Sequence, residues 1–465
     1  MPHAACSVRR SADAFHGARA GRAGARVRAR RGGAARLSFP AEIAVHPRGP
    51  LDAVVRVPGS RSLTNRALVA AALADGESTL ENALSADDTD AMRVALGALG
   101  VPIAVDARAT GTWRVAGRGG RLGVPAAALD ARASGTTARF LTALAALAPA
   151  PVVIDGSARM RERPIQDLVD ALGRLGVRVE VQGRGGCPPV RVLGGGFPGG
   201  EAEIDARRSS QYVSAVLLVA PYAARDVGLS LTGGTLVSRP YVEMTLDVMA
   251  AFGAEAGWRP DGGLRVAAGR RYVPRAFAIE PDASSAAYPW AAAAIAGGRV
   301  RVDGLAATSR QADARFVDVL ERMGCAVERG DRHTTVTGPA PGGLRGVDVD
   351  MNALPDAVLA LAVVAAFAAG PTVVRNVGNL RIKETDRLAA LERELRKLGA
   401  GAQAGPDWLR IEPAPLRGAA IDTYEDHRMA MAFALAGLRV PGVVIRDPAC
   451  VTKTWPHYFD ALERL

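Results

Sequence analysis

At 465 residues, of which 49% are hydrophobic and 23% charged, the chain is long enough for two folded domains and too apolar to be disordered throughout. Its longest uninterrupted apolar run, residues 357–369, is shorter than the ~20 residues that cross a bilayer, so we expect no membrane span. The four cysteines lie far apart and form no Cys-x-x-Cys pair. This spacing argues against a disulfide framework, a zinc site or a redox dithiol and favours a reducing cytosol.

The net charge of +11 is concentrated at the start of the chain. Residues 1–36 contain nine arginines and one acid, whereas the remainder contains 49 basic and 46 acidic residues and is nearly neutral. We expect residues 1–38 to form a disordered tail, because an Ala/Gly/Arg composition has little to bury. An upstream start codon in a high-GC gene is favoured, since the chain has 55 arginines and only three lysines. An organelle transit peptide and a nucleic-acid-binding arm are the alternatives.

An amphipathic helix pattern that ends in glycine recurs along the chain. The final glycines, 71–77 residues apart, are Gly100, Gly176, Gly253, Gly324 and Gly399. Apolar residues three and four apart, followed by glycine, predict surface helices with a C-terminal cap. The last eight residues, 458–465, supply a sixth copy, and a short Val-rich strand follows most copies.

A second, Ala-rich helix type repeats with the same period. Its copies begin near Ser62, Gly135, Ser210, Ser284, Asp356 and His427. A helix that is apolar all round is buried, so each repeat has one buried helix, one surface helix and short strands. Six such α/β units predict two similar domains of three units, with a boundary near residue 278. The six buried helix N-termini would favour anions between the domains.

The first cluster of candidate binding residues, residues 58–66, opens the first buried helix. Ser62 and Arg66 are four residues apart and share a helix face, and we expect Arg61 to project from the preceding turn. Hydroxyl, N–H and guanidinium groups together favour a phosphate or carboxylate. A simple Ser cap with solvated arginines is the alternative.

Similar clusters stand at the next two repeats. They contain Gly135, which lets a ligand approach the backbone, and then Arg163, Ser209, Ser210, Gln211, Ser238 and Tyr241. Each segment alone is compatible with ordinary capping or turn chemistry. Their recurrence at one position of the repeat favours a shared binding site.

The second half of the chain adds carboxylates and two of the three lysines. Pro355 suits the first helical position, so Asp356 falls in a first turn, where the helix dipole keeps it ionised and able to accept a proton. Lys383 and Arg387 are four apart and are expected to share a helix face beside Glu384. An ordinary cap and a solvated charged helix start are the alternatives. Clusters at residues 426–428 and 452–454 complete the set.

No metalloprotease, nucleophile-elbow or P-loop motif is present, and the glycine-rich segment 194–200 has neither a P-loop lysine nor Rossmann spacing. The residues alone therefore predict an enzyme without a cofactor or metal that acts on multiply anionic small molecules. Asp356 and Glu384 are the acid/base candidates.

Five segments taken together carry a resemblance to a known family. They are residues 58–66, 159–165, 383–387, 426–431 and 453–454. In this order they resemble the enolpyruvyl transferases, specifically the EPSP synthase family, from about residue 40 to the C-terminus. The resemblance implies a two-domain inside-out α/β barrel with three α/β units per domain. The N-terminal domain would span residues 60–278, and the C-terminal domain would combine residues 40–59 with 279–465.

The resemblance also implies a reaction. The family transfers the enolpyruvyl group of phosphoenolpyruvate to the 5-hydroxyl of shikimate 3-phosphate in the shikimate pathway, through a tetrahedral intermediate and with release of phosphate. No cofactor, metal, nucleic acid or membrane is implied, and we expect a cytoplasmic monomer that closes on its first substrate.

The resemblance assigns a role to each candidate residue. Those that would hold shikimate 3-phosphate are Ser62, Arg66, Ser209, Ser210, Ser238, Asp356, Asn379 and Lys383, with Tyr241 nearby. Those that would hold phosphoenolpyruvate are Arg61, Gly135, Arg163, Gln211, Arg387, Arg428 and Lys453. Asp356 would accept the 5-hydroxyl proton, and Glu384 would protonate the methylene carbon.

The chain departs from the family pattern at two positions. Arg61 replaces the usual Lys, and Ala133 replaces the usual Asn. Because of Arg61, the alternatives are an enzyme with altered turnover or altered glyphosate sensitivity, an enzyme with a changed acceptor, and a non-catalytic relative. The related UDP-N-acetylglucosamine enolpyruvyl transferases are disfavoured, because no cysteine occupies the loop that the family uses and the Asp-His-Arg-Met pattern is present.

Overall fold

The computed structural model describes residues 38–106, 111–233 and 236–465. The expected N-terminal tail is residues 1–38, and all of it except Ser38 lies outside the described residues. Residues 39–465 form one unit. Within the described residues, no helix is long and apolar enough to span a membrane.

Twelve α-helices occur in the described parts of the chain. They are α1 Arg61–Leu73, α2 Asp87–Ala98, α3 Gly135–Leu144, α4 Gln166–Arg174, α5 Ser210–Val219, α6 Arg239–Ala251, α7 Ala283–Ala296, α8 Phe316–Arg322, α9 Val358–Ala365, α10 Arg387–Leu398, α11 His427–Ala434 and α12 Tyr458–Glu463. Buried and surface helices alternate along the chain, as the two repeating patterns predicted. Each of the five glycines that follow the surface helices has a positive φ between 84° and 107°, which confirms them as C-terminal caps.

Short strands separate the helices. They are β1 Glu42–Val45, β2 Leu51–Val55, β3 Glu77–Glu81, β4 Ile103–Val105, β5 Trp113–Ala116, β6 Leu129–Asp130, β7 Val152–Asp155, β8 Val179–Val181, β9 Val190–Val192, β10 Gly200–Asp205, β11 Val227–Thr232, β12 Ala256–Trp258, β13 Leu264–Val266, β14 Ala276–Ala278, β15 Gly298–Asp303, β16 Ala326–Arg329, β17 His333–Gly338, β18 Asp348–Asp350, β19 Thr372–Arg375, β20 Gly401–Ala404, β21 Leu409–Glu412, β22 Ala420–Ile421 and β23 Val443–Arg446.

The strands form small sheets that repeat one topology. In the four-stranded sheet β6-β7-β9-β8, β6 pairs in parallel with β7, whereas β9 pairs antiparallel with both β7 and β8. The same order recurs in β10-β11-β13-β12 and in β18-β19-β21-β20. The sixth sheet is reduced to three strands, β1-β23-β22, of which β22 and β23 are parallel. The described residues therefore contain the six α/β units that the period predicted.

Two sheets take their first strand from a distant part of the chain. The strand β2 pairs in parallel with β15, which places Leu51 opposite Gly298, and β14 pairs in parallel with β3. Because β2 precedes α1 and β14 precedes α7, the chain crosses twice between the two sets of three units. The crossings lie side by side, since Ser60 N–H donates to Glu280 O at 2.8 Å and Asp282 N–H donates to Pro58 O at 2.8 Å.

The apolar side chains gather in two large buried clusters. One contains residues between Leu63 and Ile279 and includes the contacting helices α1, α3 and α5. The other combines Val45, Leu51 and Val57 with residues between Ala283 and Leu462, and it includes α7, α9 and α11. We call these the first core and the second core. The predicted domain limits, residues 60–278 and residues 40–59 with 279–465, coincide with this division but stay a prediction.

Candidate active site

A cavity of about 670 Å³, measured with its mouth, is lined by residues of both halves of the chain. Most of the predicted site residues line it, namely Arg61, Ser62, Arg66, Gly135, Arg163, Ser209, Ser210, Gln211, Ser238, Tyr241, Asp356, Asn379, Lys383, Glu384 and Arg387. The other two, Arg428 and Lys453, do not line it but form ion pairs with two carboxylates that do, Asp356 and Glu384 respectively. The structure thus brings together side chains that stand up to about 390 residues apart in sequence.

Capped helix N-termini form much of the cavity wall. Ser60, Ser134 and Ser209 accept hydrogen bonds from backbone N–H groups two or three residues ahead, at the starts of α1, α3 and α5. The 3-10 helix Pro355–Ala357, just before α9, contributes Asp356. Four of the six predicted N-termini therefore border the cavity directly. The N-terminus of α7 stands behind them, because its cap Asp282 accepts from the N–H of Arg61.

Arg66 is held by neutral oxygens. Its guanidinium donates to the hydroxyls of Thr245 at 2.7 Å and Ser214 at 3.3 Å, and to the carbonyls of Ser62 and Tyr241 at 3.0 Å. No carboxylate of the described residues forms an ion pair with it. Burial lowers the pKa of Arg66 to about 10. Arg66 is still a cation at neutral pH. Because no carboxylate of the described residues neutralises it, its charge is available to an anion that enters the cavity.

Arg61 differs from the expectation in its position. It is the first residue of α1 rather than part of the preceding turn, because Ser60 and not Ser62 caps the helix. Its Nη2 lies 3.2 Å from Asp356 Oδ2 and its Nε lies 3.5 Å from Asp88 Oδ2. Burial lowers the pKa of Arg61, but Asp88 and Asp356 outweigh it and the net shift is upward. Arg61 is thus a fixed cation between two carboxylates, and the solvated alternative is wrong.

Asp356 is surrounded by cations. Arg428 Nη2 donates to Oδ2 at 2.7 Å, Arg61 Nη2 reaches the same oxygen, and Arg387 Nη1 reaches Oδ1 at 3.3 Å. Burial raises the pKa of Asp356, but four neighbouring cations, Arg428 foremost, hold it far below the ordinary range. The carboxylate is therefore ionised at neutral pH and able to accept a proton only when its surroundings change.

Arg387 connects the carboxylates of the second core. It is 1% exposed, donates to both oxygens of Asp426 at 2.7 and 3.1 Å, and lies 2.9 Å from Glu384 Oε2. Burial raises the pKa of Glu384, but Arg387 and then Lys453 hold it well below its usual value. Both acid/base candidates thus share one guanidinium, since Arg387 also contacts Asp356.

Lys453 reaches across from the second core to the first. Its Nζ donates to the carbonyl of Ala133 at 2.8 Å and to Asp88 Oδ1 at 3.2 Å, and it lies 3.7 Å from Glu384 Oε1. Sequence reasoning missed Asp88, which bridges Lys453 and Arg61. The only local signal is an acidic first turn of α2, a pattern that helix dipoles favour anyway. Thr136 and Arg208 also line the cavity and were not predicted.

Lys383 and Arg387 do not share a helix face, which corrects the sequence prediction. A 3-10 helix ends at Ile382, and α10 begins only at Arg387, because Asp386 caps it by accepting from Ala389 N–H. Lys383 therefore lies in the extended link between them, yet it still lines the cavity. Burial lowers the pKa of Lys383, and Asp356 opposes this shift.

Gly135 leaves room for two arginines. A Cβ at this position would stand 2.7 Å from Arg163 Nη2 and 3.0 Å from Arg139 Nη1. Arg163 is buried, and its Nε has no hydrogen-bond partner among the described residues. The glycine thus lets a guanidinium with unused donors lie directly against the start of α3.

Within the described residues, no group of three or more His, Cys, Asp and Glu side chains is arranged to hold a metal ion. The cavity thus presents many cations around two carboxylates, Asp356 and Glu384. Such an arrangement favours anions and offers groups for proton transfer.

Comparison with known proteins agrees with this geometry. The sequence profile of the family described as EPSP synthase (3-phosphoshikimate 1-carboxyvinyltransferase) matches residues 45–462. A 3-phosphoshikimate 1-carboxyvinyltransferase from Nostoc punctiforme is 48% identical over 410 residues, covering 88% of this chain and 95% of the relative. One from Yersinia pestis is 44% identical over 426 residues, covering 91% and 98%. The solved EPSP synthase of Acinetobacter baumannii aligns with a TM-score of 0.76 at 25% identity, covering 91% and 98%.

The match spans nearly all of the described residues, and the two-set α/β architecture agrees with that of the solved relative. The family and the fold class predicted from the motifs are confirmed. This chain belongs to the EPSP synthase family.

Proposed function

We propose that this chain transfers the enolpyruvyl group of phosphoenolpyruvate to the 5-hydroxyl of shikimate 3-phosphate and releases phosphate. The observation that carries the proposal is the pair Asp356 and Glu384, held among cations in a cavity that both halves of the chain line. Two polyanionic substrates require such a cation-rich enclosure, and an addition–elimination reaction requires a base and an acid. Membership of the EPSP synthase family supports the same reaction.

Shikimate 3-phosphate binds mostly on the side of the cavity formed by the first core. Its proposed ligands from that side are Ser62, Arg66, Ser209, Ser210 and Ser238, with Tyr241 nearby, and those from the second core are Asp356, Asn379 and Lys383. Arg66 supports this assignment, because its guanidinium donates hydrogen bonds only to neutral oxygens of the described residues, and no carboxylate among them neutralises the charge that a phosphate would pair with. The dipoles of α1 and α5 add to the attraction.

Phosphoenolpyruvate binds where the cations of the two cores meet. Its proposed ligands are Arg61, Gly135, Arg163, Gln211, Arg387, Arg428 and Lys453. The unused Nε of Arg163 and the open backbone at Gly135 support this placement. A guanidinium matches a carboxylate or a phosphate with two parallel hydrogen bonds.

Asp356 accepts the 5-hydroxyl proton as that oxygen attacks C2 of phosphoenolpyruvate, and Glu384 gives a proton to the methylene carbon. Both carboxylates have strongly lowered pKa values in the substrate-free protein because cations neutralise them. Bound phosphate and carboxylate groups bring negative charge to the same cations, which raises both pKa values toward the range that proton transfer needs. The tetrahedral adduct then loses a methyl proton back to Glu384 as its C–O bond to phosphate breaks, which yields the enol ether, and the proton held by Asp356 leaves with the phosphate.

We also propose that residues 60–278 and residues 40–59 with 279–465 act as two domains that close on the first substrate. The side-by-side crossings at residues 58–60 and 280–282 support a hinge there. We further propose a monomer in the cytoplasm. Three cysteines of the described residues, Cys187, Cys325 and Cys450, are free, as a reducing compartment would leave them.

Phosphate release from phosphoenolpyruvate by the purified full chain tests the proposal. We expect release only when shikimate 3-phosphate is present, and a fall of about 10²- to 10⁴-fold in Asp356→Asn and Glu384→Gln. Asp348→Asn is a matched control, because Asp348 also pairs with an arginine but is exposed. Release that does not need shikimate 3-phosphate, or that survives in both variants, contradicts the proposal.

A further inference from the structure

The buried side chain of Asp313 stands beside the cavity without lining it. It belongs to the 3-10 helix Ala312–Arg315 of the second core and is 3% exposed. The reaction described above gives it no role. Its hydrogen-bond partners nevertheless come from both cores, so this carboxyl links α6 of the first core, which contributes Tyr241 to the cavity, to α7 of the second.

Two hydroxyl groups hold the same oxygen of this carboxyl. Tyr241 Oη, from α6, donates to Asp313 Oδ2 at 2.8 Å, and Ser284 Oγ, from the first turn of α7, donates to it as well. The other oxygen, Oδ1, is buried and has no hydrogen-bond partner among the described residues. A charge on Asp313 is therefore stabilised by neutral donors and not by a direct ion pair.

Two side chains contact Asp313, and two more act on it through their charge. They are Tyr241 of α6, Ser284 of α7, Asp356 before α9 and Arg428 of α11. Burial, and next the charge of Asp356, raise the pKa of Asp313 to about 6 against the opposing effects of the other three. Electrostatic coupling is reciprocal, so an ionised Asp313 increases the proton affinity of Asp356 by the same interaction energy.

We propose that Asp313 is a positioning residue, whose carboxylate holds the Tyr241 hydroxyl across the cavity and whose negative charge strengthens Asp356 as a base. The inference rests on the proposed function, in which Asp356 accepts the substrate proton. Asp356 is surrounded by arginines that weaken it as a base, and Asp313 supplies the opposing charge. The tyrosine so held also accepts, through its carbonyl, a hydrogen bond from the proposed phosphate ligand Arg66.

The test compares the pH profiles of kcat/KM for shikimate 3-phosphate in the wild-type chain and in Asp313→Asn. Asparagine keeps an acceptor for Tyr241 but cannot be charged. We expect a wild-type to variant ratio near one at pH 5, rising through a midpoint near pH 6 to about tenfold at pH 8, the effect of one pKa unit on a base. Substrate ionisation is common to both proteins and cancels in the ratio. A ratio that stays flat from pH 5 to 8 overturns the inference.

The pH profile of Ser284→Ala provides a second readout, which can be measured even if Asp313→Asn does not fold. Removing this hydroxyl removes a donor that lowers the pKa of Asp313, so the acidic fall in kcat/KM moves to higher pH. A purely structural role would lower activity without moving the midpoint, and an unmoved midpoint contradicts the inference.

Asp318→Asn is the matched control, because Asp318 lies on the following helix and its side chain is 43% exposed. Its ratio to wild type is expected to stay near one at every pH. A wild-type chain without release dependent on shikimate 3-phosphate overturns the proposed function and this inference with it. An active wild type with a flat ratio for Asp313→Asn overturns only the role of Asp313.

Discussion

Arg61 Nη2 lies 3.2 Å from Asp356 Oδ2 and joins the first residue of a helix in the first core to the proposed base in the second. The two residues are 295 positions apart in the chain. Because Arg61 also lies against Asp88, its guanidinium spans two carboxylates. A lysine at this position would carry a compact ammonium that cannot span them in the same way.

Arg61→Lys is therefore expected to improve catalysis. Loosening one cation from Asp356 strengthens it as a base and leaves more space for phosphoenolpyruvate. We expect kcat/KM for phosphoenolpyruvate to rise by roughly threefold, the effect of half a pKa unit on a base. Steady-state phosphate release at saturating shikimate 3-phosphate measures this change.

Arg121→Lys is the control for that comparison. Arg121 is exposed and pairs with Asp75 on the surface, so the same chemical change there leaves the kinetics unchanged. Equal kinetics in Arg61→Lys and wild type would sink the idea that Arg61 restrains the base.

Gly135→Ala tests the close contact of α3 with Arg163. The added Cβ would stand 2.7 Å from Arg163 Nη2, so the guanidinium must move. We expect KM for phosphoenolpyruvate to rise by about tenfold or more, since displacing one charge-assisted contact costs roughly 1.5–3 kcal/mol, while KM for shikimate 3-phosphate changes less. Gly97→Ala is the control, because nothing lies within 4 Å of its added Cβ. Equal changes in both KM values would contradict a local effect on Arg163.

Local signals explain which features were predictable from the sequence. Helix starts near Gly135, Ser210 and His427 follow from capping residues and apolar runs, which act over a few positions. The start of α10 was placed too early because Asp386, and not an earlier residue, caps it.

Contacts between distant segments explain what the sequence did not predict. The contact of Arg61 with Asp356, and the convergence of Asp356, Glu384 and Asp426 on Arg387, depend on how the two cores meet. No spacing rule along one helix describes such contacts. The motif resemblance identified most of these residues as ligands, but it did not indicate which of them pair with each other.

The lowered pKa values of Asp356 and Glu384 predict a loss of stability in acid. Cations, Arg428 foremost for Asp356 and Arg387 for Glu384, keep both carboxyls ionised in the folded protein. The unfolded chain binds protons at about pH 4, so below that range it takes up more protons than the folded chain. The stabilisation is complete above about pH 5 and is lost as the pH falls.

Urea denaturation between pH 3 and pH 7 measures this loss. We expect a smaller decrease in the free energy of unfolding for Glu384→Gln than for the wild type. Asp313, whose pKa burial raises to about 6, acts in the opposite sense in both proteins and cancels in the comparison. Glu328→Gln, at an exposed position, is expected to follow the wild-type curve. Parallel curves for Glu384→Gln and wild type would show that Glu384 is not held ionised by its neighbours.

Asp426→Asn tests the most deeply buried ion pair of the site. Asp426 is fully buried, binds Arg387 through both oxygens and caps α11 by accepting from Arg428 N–H at 2.9 Å. Asparagine can keep the cap but cannot keep the charge. We expect the free energy of unfolding to fall by about 3 kcal/mol, because removing one member of a buried pair leaves Arg387 less compensated.

Asp422→Asn is the matched control for that variant. Asp422 also pairs with two cations, Lys397 and Arg446, but it is 41% exposed and its pairs are solvent-screened. The expected cost there is about 1 kcal/mol or less. Urea midpoints at pH 7 compare the two variants. Equal losses in the free energy of unfolding would mean that the buried pair of Arg387 and Asp426 stabilises the protein no more than the exposed pairs of Asp422 do.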